Sequence, residues 1–145
     1  MRQATFNGHI MLTYNRDNGF FGTSYKGTDK FSNVGVLPED HEHAEKMGVS
    51  PQMARLTHEI CHHVVGSRLP SRILGGCSIV YRDAFGIPQQ QPESAVQEFL
   101  YTTLQYHIHS LVHHNNEGLV YLKWMGLDVA ALNADALYLI RVLDK

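Results

Sequence analysis

The stretch from Ser50 to Gly66 constrains this chain more than any other. Ser50 followed by Pro51 is a helix start: the hydroxyl can accept an orphan backbone N–H, and proline suits the first turn. Gly66 is a stop signal. Between them, Ala54, Cys61 and Val65 form one apolar strip along a helix, and Met53, Leu56, Ile60 and Val64 form a second. A helix apolar on two sides is mostly buried, so the rest of the chain has to supply cover on both flanks. The sector between the strips holds Arg55, His58, Glu59, His62 and His63. Polar groups in such a place have to be paired, hydrogen-bonded or bound to metal.

The polar sector contains His-Glu-x-x-His, residues 58–62, with His63 directly after it. On a helix His58 and His62 are one turn apart and point the same way, the spacing at which two imidazoles share a metal ion. Glu59 sits about 100° round the helix, beside that face, where it could hold or deprotonate a water. A chain with 10 histidines produces this pattern by chance on the order of a few times in a hundred. The buried setting is what lifts it above a histidine-rich surface helix. A hydrogen-bonded polar network is the other reading of the same residues.

The 145 residues suffice for one domain with a real core, and a single domain over 1–145 is expected. Hydrophobic residues at 43% and charged residues at 18% exclude a disordered chain. A net charge of -2 supplies no general drive toward nucleic acid or an anionic membrane. No apolar run opens the chain or is long enough to span a bilayer, and two cysteines, Cys61 and Cys77, make no disulfide framework. Cys61, inside the buried helix, reads as a small core residue. These features together suggest a soluble cytoplasmic protein.

Taken in order, residues 4–27 read as a β-hairpin, with strands over 10–14 and 19–25 and turn chemistry in Asn15-Arg16-Asp17-Asn18-Gly19. Residues 26–38 read as loop. Residues 39–48 form a short acidic helix ended by Gly48. Its His41 and His43 face different directions, although one could reach the motif if this helix folds over it. After the motif helix, about 51–65, residues 71–84 read as helix with a strand as the alternative. Residues 85–92 form a Gly/Pro-punctuated connector. A long helix follows over 93–114, with Val96, Leu100, Thr103, Leu104, His107 and Leu111 as its apolar stripe. His9, His109, His113 and His114 read as surface residues. A short helix over 117–125 ends at Gly126, and Asp128 caps a last helix. That helix is apolar well round its circumference, which fits a central core position or a homodimer interface. The fold class expected is mainly α (α+β), a helical core over about 39–143 with an N-terminal β-hairpin.

Residues 58–62 resemble the active-site motif of the zincin metallopeptidases. A glutamate on a later helix resembles the gluzincin arrangement and the small ImmA/IrrE group. That resemblance implies His58 and His62 as zinc ligands, Glu59 as general base and Glu93 as third ligand, with Glu98 next in line. His107, His41 and His43 remain alternatives for that third place. Zinc with one open position lowers the pKa of its water to about 7. Glu59 would take the proton, and His63 or Arg55 would stabilise the oxyanion formed from a peptide. The same ingredients are loosely similar to HD-type phosphohydrolases. There a manganese or iron site would use His58, Glu59, His62 or His63, and His41 or His43. Arg55, Arg68, Arg72 and Arg82 would then grip a phosphate ester. A third reading is non-enzymatic, with the cluster holding a structural metal and the last helix binding a partner.

Overall fold

The structure, a computed structural model, describes residues 1–25, 31–68, 93–109 and 117–145, and only the backbone of residues 31, 93–96, 117 and 121. The chain forms two compact units, Met1–Ile60 with Asp135–Lys145, and Cys61–Ala134.

The first unit opens with four antiparallel strands in the order β1-β2-β3-β4: β1 (Arg2–Phe6), β2 (Ile10–Asn15), β3 (Phe20–Tyr25) and β4 (Phe31–Val34). The expected hairpin is therefore the inner pair of a larger sheet, and β4 lies within residues read as loop. Neither outer strand carries an apolar signal. β1 is Arg-Gln-Ala-Thr-Phe and largely exposed, as edge strands are when they must not recruit a neighbour. β4 has only four residues. The β1–β2 turn places Asn7 at φ 53° and Gly8 at φ 72°, left-handed conformations that these two residue types tolerate best. In the β2–β3 turn the Asn15 carbonyl accepts the Gly19 N–H at 2.8 Å, and its side-chain oxygen accepts the Asp17 N–H at 3.0 Å. Register pairs Leu12 with Thr23 and Tyr14 with Phe21, so Ile10, Leu12, Tyr14 and Phe21 share the buried face.

Helix α1 (Pro38–Met47) buries Asp40, Ala44 and Met47 at helical spacing and ends at Gly48 in the left-handed conformation. Helix α2 (Pro51–Gly66) is the motif helix. Its cap is as expected: Ser50 Oγ accepts the Met53 N–H at 3.1 Å. Ala54, Leu56 and Ile60 are buried in this unit. The chain returns at Asp135 with the second part of α5 (Val129–Leu143), burying Ala136, Leu139 and Leu143. Arg2 Nε donates to the Lys145 carbonyl at 2.7 Å, and Arg16 lies 4.0 Å from Asp144.

The second unit takes over α2 at Cys61, which is buried with Val64 and Val65. Helix α3 (Glu93–Ile108) packs against α4 (Glu117–Trp124). Gly118 permits that approach, because a Cβ there would lie 2.7 Å from Thr103 Oγ1 and 2.9 Å from Thr103 Cβ. Helix α3 runs to Ile108 and His109 lies in a turn, while residues 110–114 of the expected helix lie outside the described residues. Burial is wider than the expected stripe: Tyr101, Gln105, Tyr106 and Ile108 are buried as well as Leu100, Thr103 and Leu104. His109 is half-buried rather than a surface residue, and burial lowers its pKa. Gly126 at φ 84° ends α4, with the Leu127 N–H donating to the Leu122 carbonyl at 3.1 Å. Asp128 caps α5, its Oδ1 accepting the Ala131 N–H at 3.2 Å. The segment 71–84, His113 and His114 lie outside the described residues. No helix among the described residues is long and apolar enough to cross a membrane.

Candidate metal centre

Helix α2 is unbroken through the boundary of the two units, so its own geometry relates His58 to His62. His58 is 6% exposed and its face is continued one turn later by His62. His62 Nε2 is 2.9 Å from Oε1 of Glu98, which stands on α3. One donor atom each from His58, His62 and Glu98 lies within 4.8 Å of the others, and these three residues form the candidate metal-binding group.

The donor chemistry fits a borderline cation such as zinc: two imidazole nitrogens and one carboxylate oxygen. Ligand atoms at zinc distances on a tetrahedron sit about 3.3 Å apart. The His62–Glu98 pair, at 2.9 Å, is a few tenths of an ångström inside that separation, and the whole group lies within 4.8 Å. The group is open on one side. The His62 side chain is 32% exposed and that of Glu98 48%, which leaves room for water or a substrate beside the donors.

Glu98, second in the sequence reading, is thus the carboxylate beside His62. Glu93 opens α3 and only its backbone is described. His107 is half-buried on α3 and outside the donor group. His41 is exposed on α1. His43 is half-buried, and its pKa is lowered by burial and then by the neighbouring positive charge of His58.

Arg55 has a different environment from the one expected of an oxyanion donor. It is 5% exposed, and its guanidinium meets three carboxylates of its own unit. Nε donates to Asp40 Oδ2 at 2.8 Å and Nη1 to Glu59 Oε1 at 2.8 Å, while Nη2 lies 3.7 Å from Glu39 Oε1. Asp40, 1% exposed, also accepts the Leu37 N–H at 2.7 Å. Burial works against the Arg55 charge, but the hydrogen bonds to Asp40 and Glu59 outweigh it and raise the pKa. The same contacts fix one oxygen of Glu59. His63 is half-buried near the end of α2, and Arg68 is exposed. Arg72 and Arg82 lie outside the described residues.

Sequence reasoning missed Tyr101. Its ring centroid is 4.0 Å from that of His62, with the planes at 34°. Burial and then the Glu98 charge push its pKa up to about 12, so the phenol keeps its proton. The available signal was spacing: Tyr101 is three residues after Glu98 and therefore on the same side of α3.

No family model, no curated protein and no solved structure matches this chain.

Proposed function

We propose that this chain is a metal-dependent hydrolase with a peptidase-like site. One observation carries the reading: the two histidines of a His-Glu-x-x-His helix and a glutamate from a later helix form a half-exposed donor group. Zinc is the preferred ion, and manganese or iron belongs to the alternative phosphohydrolase reading. When bound, it would supply Lewis acidity and a water acidic enough to ionise near pH 7. His58, His62 and Glu98 would hold the ion. Glu59, adjacent in sequence to His58, would accept the water's proton and pass it to the leaving group. Arg55 would orient Glu59 rather than touch the substrate. His63 would remain as donor to a developing oxyanion. A structural metal site is closed by four protein ligands, whereas the group among the described residues offers three, with Glu98 half-exposed.

The phosphohydrolase reading needs Glu59 among the ligands and arginines available for phosphate. Glu59 instead pairs with Arg55, and Arg55 with three carboxylates. A homodimer through the C-terminal helix would use Leu137 and Tyr138, which are 43% and 56% exposed. Sedimentation of the wild type against a Leu137→Glu variant tests it.

The deciding experiment is elemental analysis of protein purified without a histidine tag, beside His58→Ala, His62→Ala and Glu98→Ala. Near-stoichiometric zinc, lost in all three variants while helicity survives, supports the site. Cleavage of an unfolded protein substrate, abolished in Glu59→Gln with zinc retained, supports the activity. Two metals per chain, or manganese or iron in place of zinc, would favour the phosphohydrolase. Absence of metal after zinc is offered back would overturn both enzyme readings.

A further inference from the structure

We propose that Tyr101 is a positioning residue for the metal centre: its ring holds the His62 imidazole in the orientation that brings Nε2 to the donor group. This rests on the metal reading above. A half-exposed imidazole rotates about two side-chain bonds, and each well it visits away from the ion lowers the fraction of chains ready to bind. His62 is such a residue, with its side chain 32% exposed. Two of its restraints come from α3. Glu98 meets Nε2 at 2.9 Å, and Tyr101 covers a face of the ring at a centroid distance of 4.0 Å.

The two restraints differ in what happens to them when an ion arrives. Glu98 would exchange its hydrogen bond with Nε2 for a bond to the ion. The ring of Tyr101 touches the imidazole face rather than its nitrogen lone pair, so it can stay in place throughout. Tyr101 is itself well fixed, being 5% exposed in the middle of α3. Supporting residues of this kind typically change metal affinity about 10–100-fold when removed. One turn of α3 thus supplies both the third donor and the brace for the second.

The test compares wild type, Tyr101→Phe and Tyr101→Met by zinc titration against a competing chelator, with helicity measured on each sample. The methionine fills comparable volume without a flat ring and is the variant expected to stay folded. Tyr101→Phe is expected to bind zinc within about threefold of wild type, and Tyr101→Met about tenfold or more weakly. In the metal-free wild type, a His62 ring proton is expected to be shifted upfield by the adjacent aromatic ring, and to return to its ordinary position in Tyr101→Met. That measurement needs no folded variant to show whether the stack exists. Equal zinc affinity in all three proteins overturns the inference and leaves the metal reading standing. So does an unshifted His62 ring in the wild type, or a Tyr101→Phe as weak as Tyr101→Met, which would assign the effect to the hydroxyl. A folded wild type that takes up no zinc overturns the metal reading, and this inference with it.

Discussion

Replacing Arg55 with methionine should be among the most damaging single changes in the first unit. The substitution removes two charge-assisted hydrogen bonds of 2.8 Å, to Asp40 and Glu59. It strands the Asp40 carboxylate, 1% exposed, with the Leu37 N–H as its remaining partner. Removing one member of a buried ion pair costs about 3–5 kcal/mol, most of it the penalty for the charge left behind. An unfolding entropy of about 2.1 cal/mol/K per residue converts that to a Tm lowered by roughly 10–16 °C for a chain of this size. The assay is thermal and urea unfolding at pH 7, followed by circular dichroism. The double variant Asp40→Asn/Arg55→Met carries the discrimination. With neither charge left in the interior, it should recover a substantial part of the loss. The control is Lys46→Ala, which breaks the Lys46–Glu42 pair at 3.0 Å on exposed side chains and should cause no resolvable change. An Arg55→Met protein within about 1 kcal/mol of wild type would refute the reasoning, since strongly buried pairs do not behave so. A double variant whose losses simply add would refute it equally.

Gly118→Ala should destabilise by about 1–3 kcal/mol through overpacking against Thr103, measurable as a lower urea midpoint, with Thr103→Ala partly rescuing it. Ser50→Ala should cost about 1 kcal/mol through the lost bond to the Met53 N–H, whereas Ser50→Asp should be close to neutral. The pH dependence follows from His109, whose folded pKa burial holds below its ordinary value near 6.5. The unfolded chain then takes up that proton first. The contribution of His109 is therefore present above about pH 6.5 and lost as pH falls through the folded value. Urea midpoints from pH 7.5 down to 5 should decline less steeply in His109→Asn than in wild type.

Parts of this molecule are legible in its residues because the physics that forms them is local. Ser50-Pro51, two apolar strips and Gly66 define α2, and Gly126 with Asp128 separates the last two helices. The turn at Asn15–Gly19 is likewise written in its own side chains. The outer strands are not, because β1 and β4 gain their hydrogen bonds from β2 and β3 and bury little of their own. Asn7-Gly8 is the signal that could have marked β1, since this dipeptide favours the left-handed turn it adopts. The candidate site divides in the same way. His58 and His62 follow from helical spacing alone. Glu98 and Tyr101 depend on the face that α3 turns to its neighbours, and burial nearly all round that helix erases the periodic stripe that would have revealed it. The role of Arg55 turned on Asp40, fifteen positions away in sequence, which no spacing rule connects to it.

The first unit closes only when residues from opposite ends of the sequence meet. During synthesis, β1–β4 and α1 leave the ribosome long before Asp135–Lys145 does. Until then the unit that holds these strands lacks its α5 segment and the contacts of Arg2 with Lys145 and Arg16 with Asp144. The nascent chain therefore passes through a stage in which this unit lacks one of its segments, the kind of incomplete state that holding chaperones bind and that seeds aggregation. Chain shortening at the C-terminal end should accordingly be felt at the N-terminal strands. Non-local closure of this sort is slow, so the speed at which α5 docks governs how long that vulnerable interval lasts.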